Sequence, residues 1–179
     1  APGWITFDRK TNTRVRVSNT KEIREALYLA EKITESKQRT VEVYVNVFRL
    51  YKGLISRTTH REYKAMLDMI YSRKMLKALM AASKTKDALI FITIRLIRHL
   101  GQHPKFFYDA STLKFGPLIV DILGNVETSS QLSEVISLLR LLSEGPMKFR
   151  KQLVGPTGGL AAPLVQLLDY PLTVNTPGA

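Results

Sequence analysis

Cysteine is absent from the 179 residues, which excludes disulfides and thiolate metal sites and suits a reducing compartment. Long apolar runs are absent too. The longest, around residues 88–97, is interrupted by Arg95 and followed by Arg98, well short of the ~20 uncharged residues of a membrane span. No secretory apolar segment follows the start. The first residue is Ala1 rather than Met, as expected of a processed form or a fragment of a longer chain. Histidine is scarce, at three residues. His99 and His103 stand four apart, a spacing that can hold a metal on a helix, but no carboxylate ligand lies near and His103 precedes Pro104, where helical geometry is disfavoured. No nucleophile-elbow pattern accompanies the serines. Gly155 to Gly159 lacks the Lys-Ser/Thr ending of a phosphate-binding loop and reads as a connector. No catalytic residue, metal or cofactor is therefore assigned, and the expectation is a non-enzymatic protein.

What is present points to a folded helical domain. Apolar residues make up 45% of the chain, enough to bury a continuous core. The net charge is +12 and is one-sided. Residues 1–103 carry 21 Lys and Arg against 9 Asp and Glu, whereas residues 104–179 carry six of each. A basic surface of this kind attracts acidic protein segments, nucleic acid or anionic membranes.

Residues 1–18 stand apart. Residues 4–7 and 14–17 look like two short strands around a polar turn, a hairpin packed on the first helix. From Asn19 the chain reads as helices. Asn19 and Glu22 have capping-box spacing, and Ile23, Ala26, Leu27, Ala30 and Ile33 form the first apolar stripe. Residues 40–56 alternate at Val41, Val43, Val45 and Val47, as a strand would. A helical stripe of Val41, Tyr44, Val45, Phe48 and Tyr51 favours a helix. Thr59 with Glu62 opens the next helix, with Tyr63, Met66, Leu67 and Ile70 inward, and Ser72 caps another. A long apolar helix over 87–102 ends at Pro104. Shorter helices follow over 106–110, 118–123 (after Gly116-Pro117) and 130–144. Two more are expected over 149–154 and 163–168, and the segment 171–179 is a tail with little to pack.

Two stretches repeat. Ile94 to Gly101 is followed by Pro104 and then by Pro117 and Leu118 to Leu123. Ile136 to Ser143 is followed by Pro146 and then by Pro163 and Leu164 to Leu168. The two pairs of prolines are 42 and 46 residues apart; the extra four residues fall in the Gly-rich loop, where insertion costs little. This arrangement resembles the armadillo repeat, with HEAT repeats as the related alternative. The resemblance implies an all-α, right-handed solenoid over residues 19–170, in which units that cannot bury their apolar faces alone stack into one core.

The resemblance also implies where binding occurs, on the third helices. The Trp and Asn positions that clamp extended peptides in armadillo proteins fall here at Arg95 and Ser137, and at His99 and Leu141. That ladder is absent, which argues against recognition of basic import signals. A row of cations remains, Arg49, Lys52, Arg95, Arg98 and Arg140, joined by His99. Arginine forks suit carboxylates, so the expectation is an interaction module or scaffold that holds an acidic partner segment on a basic concave face. Charge reversal at Arg95 and Arg98 is expected to weaken that binding without unfolding the chain. Two alternatives stand beside it. Basic and aromatic residues mix over 44–74, as in a nucleic-acid-binding subunit of an organellar ribosome. Equally, the chain can be an architectural subunit of a cytoskeletal or ciliary assembly. An intracellular, cytoplasmic location is expected, with an organelle or cilium as the alternatives.

Overall fold

The computed structural model describes residues 5–8, 13–16, 20–36, 40–84, 88–155, 159 and 161. Helices form nearly all of it, and the fold is all-α apart from one short strand pair. Strands β1 (Ile5–Asp8) and β2 (Thr13–Arg16) pair antiparallel, with Ile5 opposite Arg16 and Asp8 opposite Thr13, close to the expected hairpin. The chain divides into two compact units, residues 1–78 and 79–179.

In the first unit, α1 (Thr20–Glu35) packs on α2 (Val41–Ile55) and on α3 (His60–Ile70), and α2 also touches α3. Helix α1 buries Ile23, Ala26, Leu29 and Ile33, a three-to-four spacing that aligns them on one face. Leu27 and Ala30 are only half-buried. The expected cap at Asn19 lies outside the described residues. Helix α3 starts as its sequence requires. The Thr59 side chain accepts from the Glu62 backbone N–H at 3.1 Å, while the Glu62 carboxylate accepts from the Thr58 hydroxyl at 2.8 Å. Ser72 likewise caps α4 (Arg73–Ala82), accepting from the Met75 N–H at 2.9 Å.

Helix α2 resolves the strand-or-helix ambiguity in favour of helix, but it turns differently from the expected stripe. Its buried residues are Val43, Tyr44, Val47, Leu50 and Leu54. Of the expected stripe, only Tyr44 is buried; Tyr51 is half-buried, and Val41, Val45 and Phe48 face outward. The physical reason is that α2 is apolar on two faces, so periodicity alone could not choose which one meets α1 and α3.

In the second unit, α5 (Ile90–Leu100) is followed by short α6 (Phe106–Ala110), then α7 (Phe115–Leu123), α8 (Ser129–Ser143) and α9 (Met147–Val154). The Gly116-Pro117 pair sits inside the first turn of α7 rather than ahead of it. Proline is tolerated there because first-turn N–H groups have no intrahelical acceptor. Helix α8 opens with a complete capping box between Thr128 and Gln131, a signal that the sequence reading passed over. Helix α5 packs on α8, and α7 packs on both α8 and α9. Ile94, Ile97, Leu118, Ile122, Val135 and Leu138 fill the core. Beside them Phe106, Phe107, Phe115 and Phe149 meet edge-to-face, with centroids 5.2–5.9 Å apart, the geometry that aromatic quadrupoles favour. The helix expected over 163–168 and the tail over 171–179 lie outside the described residues.

Candidate partner-binding surface

The cations selected from the sequence divide into two groups. Arg49 and Lys52 belong to α2 in the first unit, and Arg95, Arg98, His99 and Arg140 belong to α5 and α8 in the second.

Arg49 and Lys52 are exposed. They line a groove of about 500 Å³ between α1 and α2, together with Phe48, Gly53, Ser56 and Arg57 on one side and Glu22, Glu25, Ala26 and Leu29 on the other. The charges in this groove are not equivalent. Arg57 is buried and forms an ion pair with Glu22, and its Nε also donates to the Gly53 carbonyl at 3.1 Å. That pair ties the end of α2 to the start of α1, so Glu22 and Arg57 serve the fold. No described carboxylate forms an ion pair with Arg49 or Lys52. The Lys52 ammonium instead lies 5.9 Å from the centre of the exposed Phe48 ring, a cation–π distance. A side chain at Gly53 would meet nothing within 4 Å, so the helix surface beside Lys52 is open.

Arg95 and Arg98 are in a different state. Arg95 Nε donates to Glu134 Oε1 of α8 at 2.8 Å, and Arg98 Nη2 lies 3.0 Å from Glu134 Oε2. Glu134 is largely buried and both arginines are half-buried. The Arg98–Glu134 approach is close enough for an ion pair but lacks hydrogen-bond geometry, and the buried Arg98 Nε has no hydrogen-bond partner. One internal carboxylate therefore bridges two arginines and ties α5 to α8. The sequence reading missed Glu134. Nothing local signals it, because Arg95 and Glu134 are 39 residues apart, beyond any helical period.

His99 is half-buried on α5. Burial, and secondarily the charge of Arg98, holds its imidazole below the ordinary value near 6.5, so at neutral pH it adds no cation to the surface. His103 Nδ1 accepts from the Lys105 backbone N–H at 3.1 Å, and no group of three metal-ligating side chains occurs among the described residues. Arg140 is exposed in the last turn of α8, where a cation is favoured by the helix dipole. Leu141, at the other expected peptide-clamping position, is buried.

The aromatic residues mixed with basic ones over residues 44–74 differ in exposure. Tyr44 is buried, and Tyr51, Tyr63 and Tyr71 are half-buried; burial raises the Tyr63 phenol above its ordinary value. Phe48 is exposed, and the exposed His60 ring stacks with Tyr63, the centroids 6.1 Å apart. No described helix is long and apolar enough to cross a membrane. No family model matches this chain, and no curated protein or solved structure matches it.

Proposed function

We propose that this protein is a non-enzymatic interaction module of the armadillo or HEAT kind, in which stacked helical repeats hold an acidic segment of a partner protein. The observation that carries this reading is the pair Arg49 and Lys52, exposed in an open groove beside Phe48 and without a described carboxylate partner. Two cations held on one helix, with room for a chain beside them, suit carboxylates that arrive in sequence along a peptide. Support for the repeat architecture comes from the recurrence of one packing pattern: α1 meets α2 and α3 as α7 meets α8 and α9. On this reading α2, α5 and α8 are the third helices. Arg49 and Lys52 of the first unit make the contacts; within the second unit Arg140 is an exposed cation, and Arg95 and Arg98 retain only the donors that Glu134 leaves unused. His99 contributes a neutral imidazole.

Within residues 44–74 Tyr44 is buried and Tyr51, Tyr63 and Tyr71 are half-buried, which leaves bases less ring surface to stack on there and favours protein over nucleic acid. The test is a titration of labelled poly-glutamate and labelled single-stranded RNA, each at low and near-physiological salt. Poly-glutamate should bind and should lose at least roughly tenfold in affinity when Arg49 and Lys52 are both changed to Glu. RNA binding that survives the higher salt, with poly-glutamate inert, would replace this reading with the nucleic-acid one.

A further inference from the structure

Helix α2 carries a second apolar seam that no described part of the chain covers. Val41, Val45, Phe48, Lys52 and Ile55 follow one another at intervals of four, three, four and three residues. This is the spacing of the a and d positions along which one helix packs against another. The four apolar members are 67%, 41%, 44% and 42% exposed. Four large apolar side chains follow one exposed helical line, with Lys52 set among them, unlike the scattered apolar residues that any surface carries. The opposite face of α2, through Val43, Val47, Leu50 and Leu54, is the one spent on the core.

We infer that this seam is a docking site for an amphipathic helix of a partner protein, one whose apolar stripe carries carboxylates along one edge. Three observations select that occupant. The alternating four-and-three spacing fits a helix, whose knobs repeat at the same interval, and not an extended strand, whose side chains repeat every two residues. Lys52 stands inside the seam and Arg49 lies one turn earlier on its edge. Each asks for a carboxylate opposite, and Lys52 fixes the register at which the partner lies. A second copy of the chain would set Lys52 against the like charges of another basic surface, at a net charge of +12 per chain, which disfavours self-pairing. The inference rests on the reading of Arg49 and Lys52 as acid-binding residues, and adds to it the helical form and the apolar face of the ligand.

The test uses the full chain and three labelled probes of equal length, the first two also equal in charge. The first is a designed helical peptide with Leu at alternating four- and three-residue intervals and Glu along one edge. The second has the same composition scrambled so that no apolar stripe forms, and the third is poly-glutamate. The helical peptide should bind at least roughly tenfold more tightly than either control, as expected when a few buried anchors dominate an interface. Val45→Ser with Ile55→Ser, seam positions that do not line the groove of Arg49 and Lys52, should abolish that advantage and leave poly-glutamate binding unchanged. Lys52→Glu should weaken all three. These positions are half-exposed, so the circular-dichroism spectrum should be preserved, and a helical-peptide advantage that Val45→Ser and Ile55→Ser leave intact overturns the site. Equal binding of all three probes overturns the inference while leaving the acidic-segment reading in place. Silence from all three overturns both. Concentration-dependent dimerisation abolished by the Val45 and Ile55 substitutions, or binding to anionic vesicles or RNA with the peptides inert, assigns the seam to a different occupant and overturns the inference as well.

Discussion

Gly145 shows how much can depend on one missing Cβ. It is buried between two rings, and a Cβ there would lie 2.7 Å from Phe149 Cδ1 and 2.8 Å from the Phe107 ring. Phe149 is itself almost fully buried, so the rings have little room to retreat. Gly145→Ala should cost about 1–3 kcal/mol of stability, the usual penalty of overpacking, measured by chemical denaturation. His99 makes a second, pH-dependent prediction. Its folded-state pKa is depressed, so the unfolded chain binds the proton more readily, and stability rises with pH through this range. The contribution is fully present above about pH 6.5 and is lost as pH falls from there toward the folded value. His99→Gln should flatten the stability–pH profile just below pH 6.5; an unchanged slope would show that burial of the imidazole is not coupled to folding.

Helices α5 and α8 illustrate why the cations of this chain are not interchangeable. Arg95 and Arg98 are engaged by Glu134, so reversing both places three carboxylates together and strikes the contact between α5 and α8. The double reversal is therefore expected to lower stability as well as to weaken binding. Glu134→Ala should cost about 1–2 kcal/mol, the range for hydrogen bonds to charged groups once solvent exposure is allowed for. A double-mutant cycle with Arg95→Ala should show non-additivity. Reversal of Arg49 and Lys52, which are exposed and have no described ion pair, should change stability by no more than about 0.5 kcal/mol. The charge-reversal experiment on binding thus belongs on α2, where an effect on affinity can be separated from an effect on folding.

Across the whole chain, charge and architecture are distributed unevenly between the two units. Residues 1–78 hold 17 Lys and Arg against 8 Asp and Glu, and residues 79–179 hold 10 against 7. The first unit therefore carries most of the positive field. Binding of poly-glutamate should weaken steeply between low and near-physiological salt, because exposed charges are screened over a Debye length of about 8 Å at 0.15 M. The helical peptide, with an apolar seam to bury, should lose less over the same range. Equal salt slopes for the two probes, read from the same titrations, would mean that α2 recognises charge alone.

The amino-acid sequence by itself determined the helical class, most helix boundaries and the order of long and short helices among the described residues. Local chemistry carries all three: Thr59 and Ser72 offer hydroxyl caps, Pro104 and Pro146 stop the helices before them, and apolar residues recur at three and four. The strand pair before α1 was legible too, as two short runs around a polar turn. Tertiary structure alone decided which face of α2 is core, because a helix apolar on two sides has no local reason to prefer either. It also decided which cations are free. Glu22 finds Arg57, and Glu134 finds Arg95 and Arg98, across sequence separations that no helical period encodes. Whether an arginine is a contact for a partner or a clamp within the fold depends on the carboxylate that packing brings to it, and packing is a property of the folded chain.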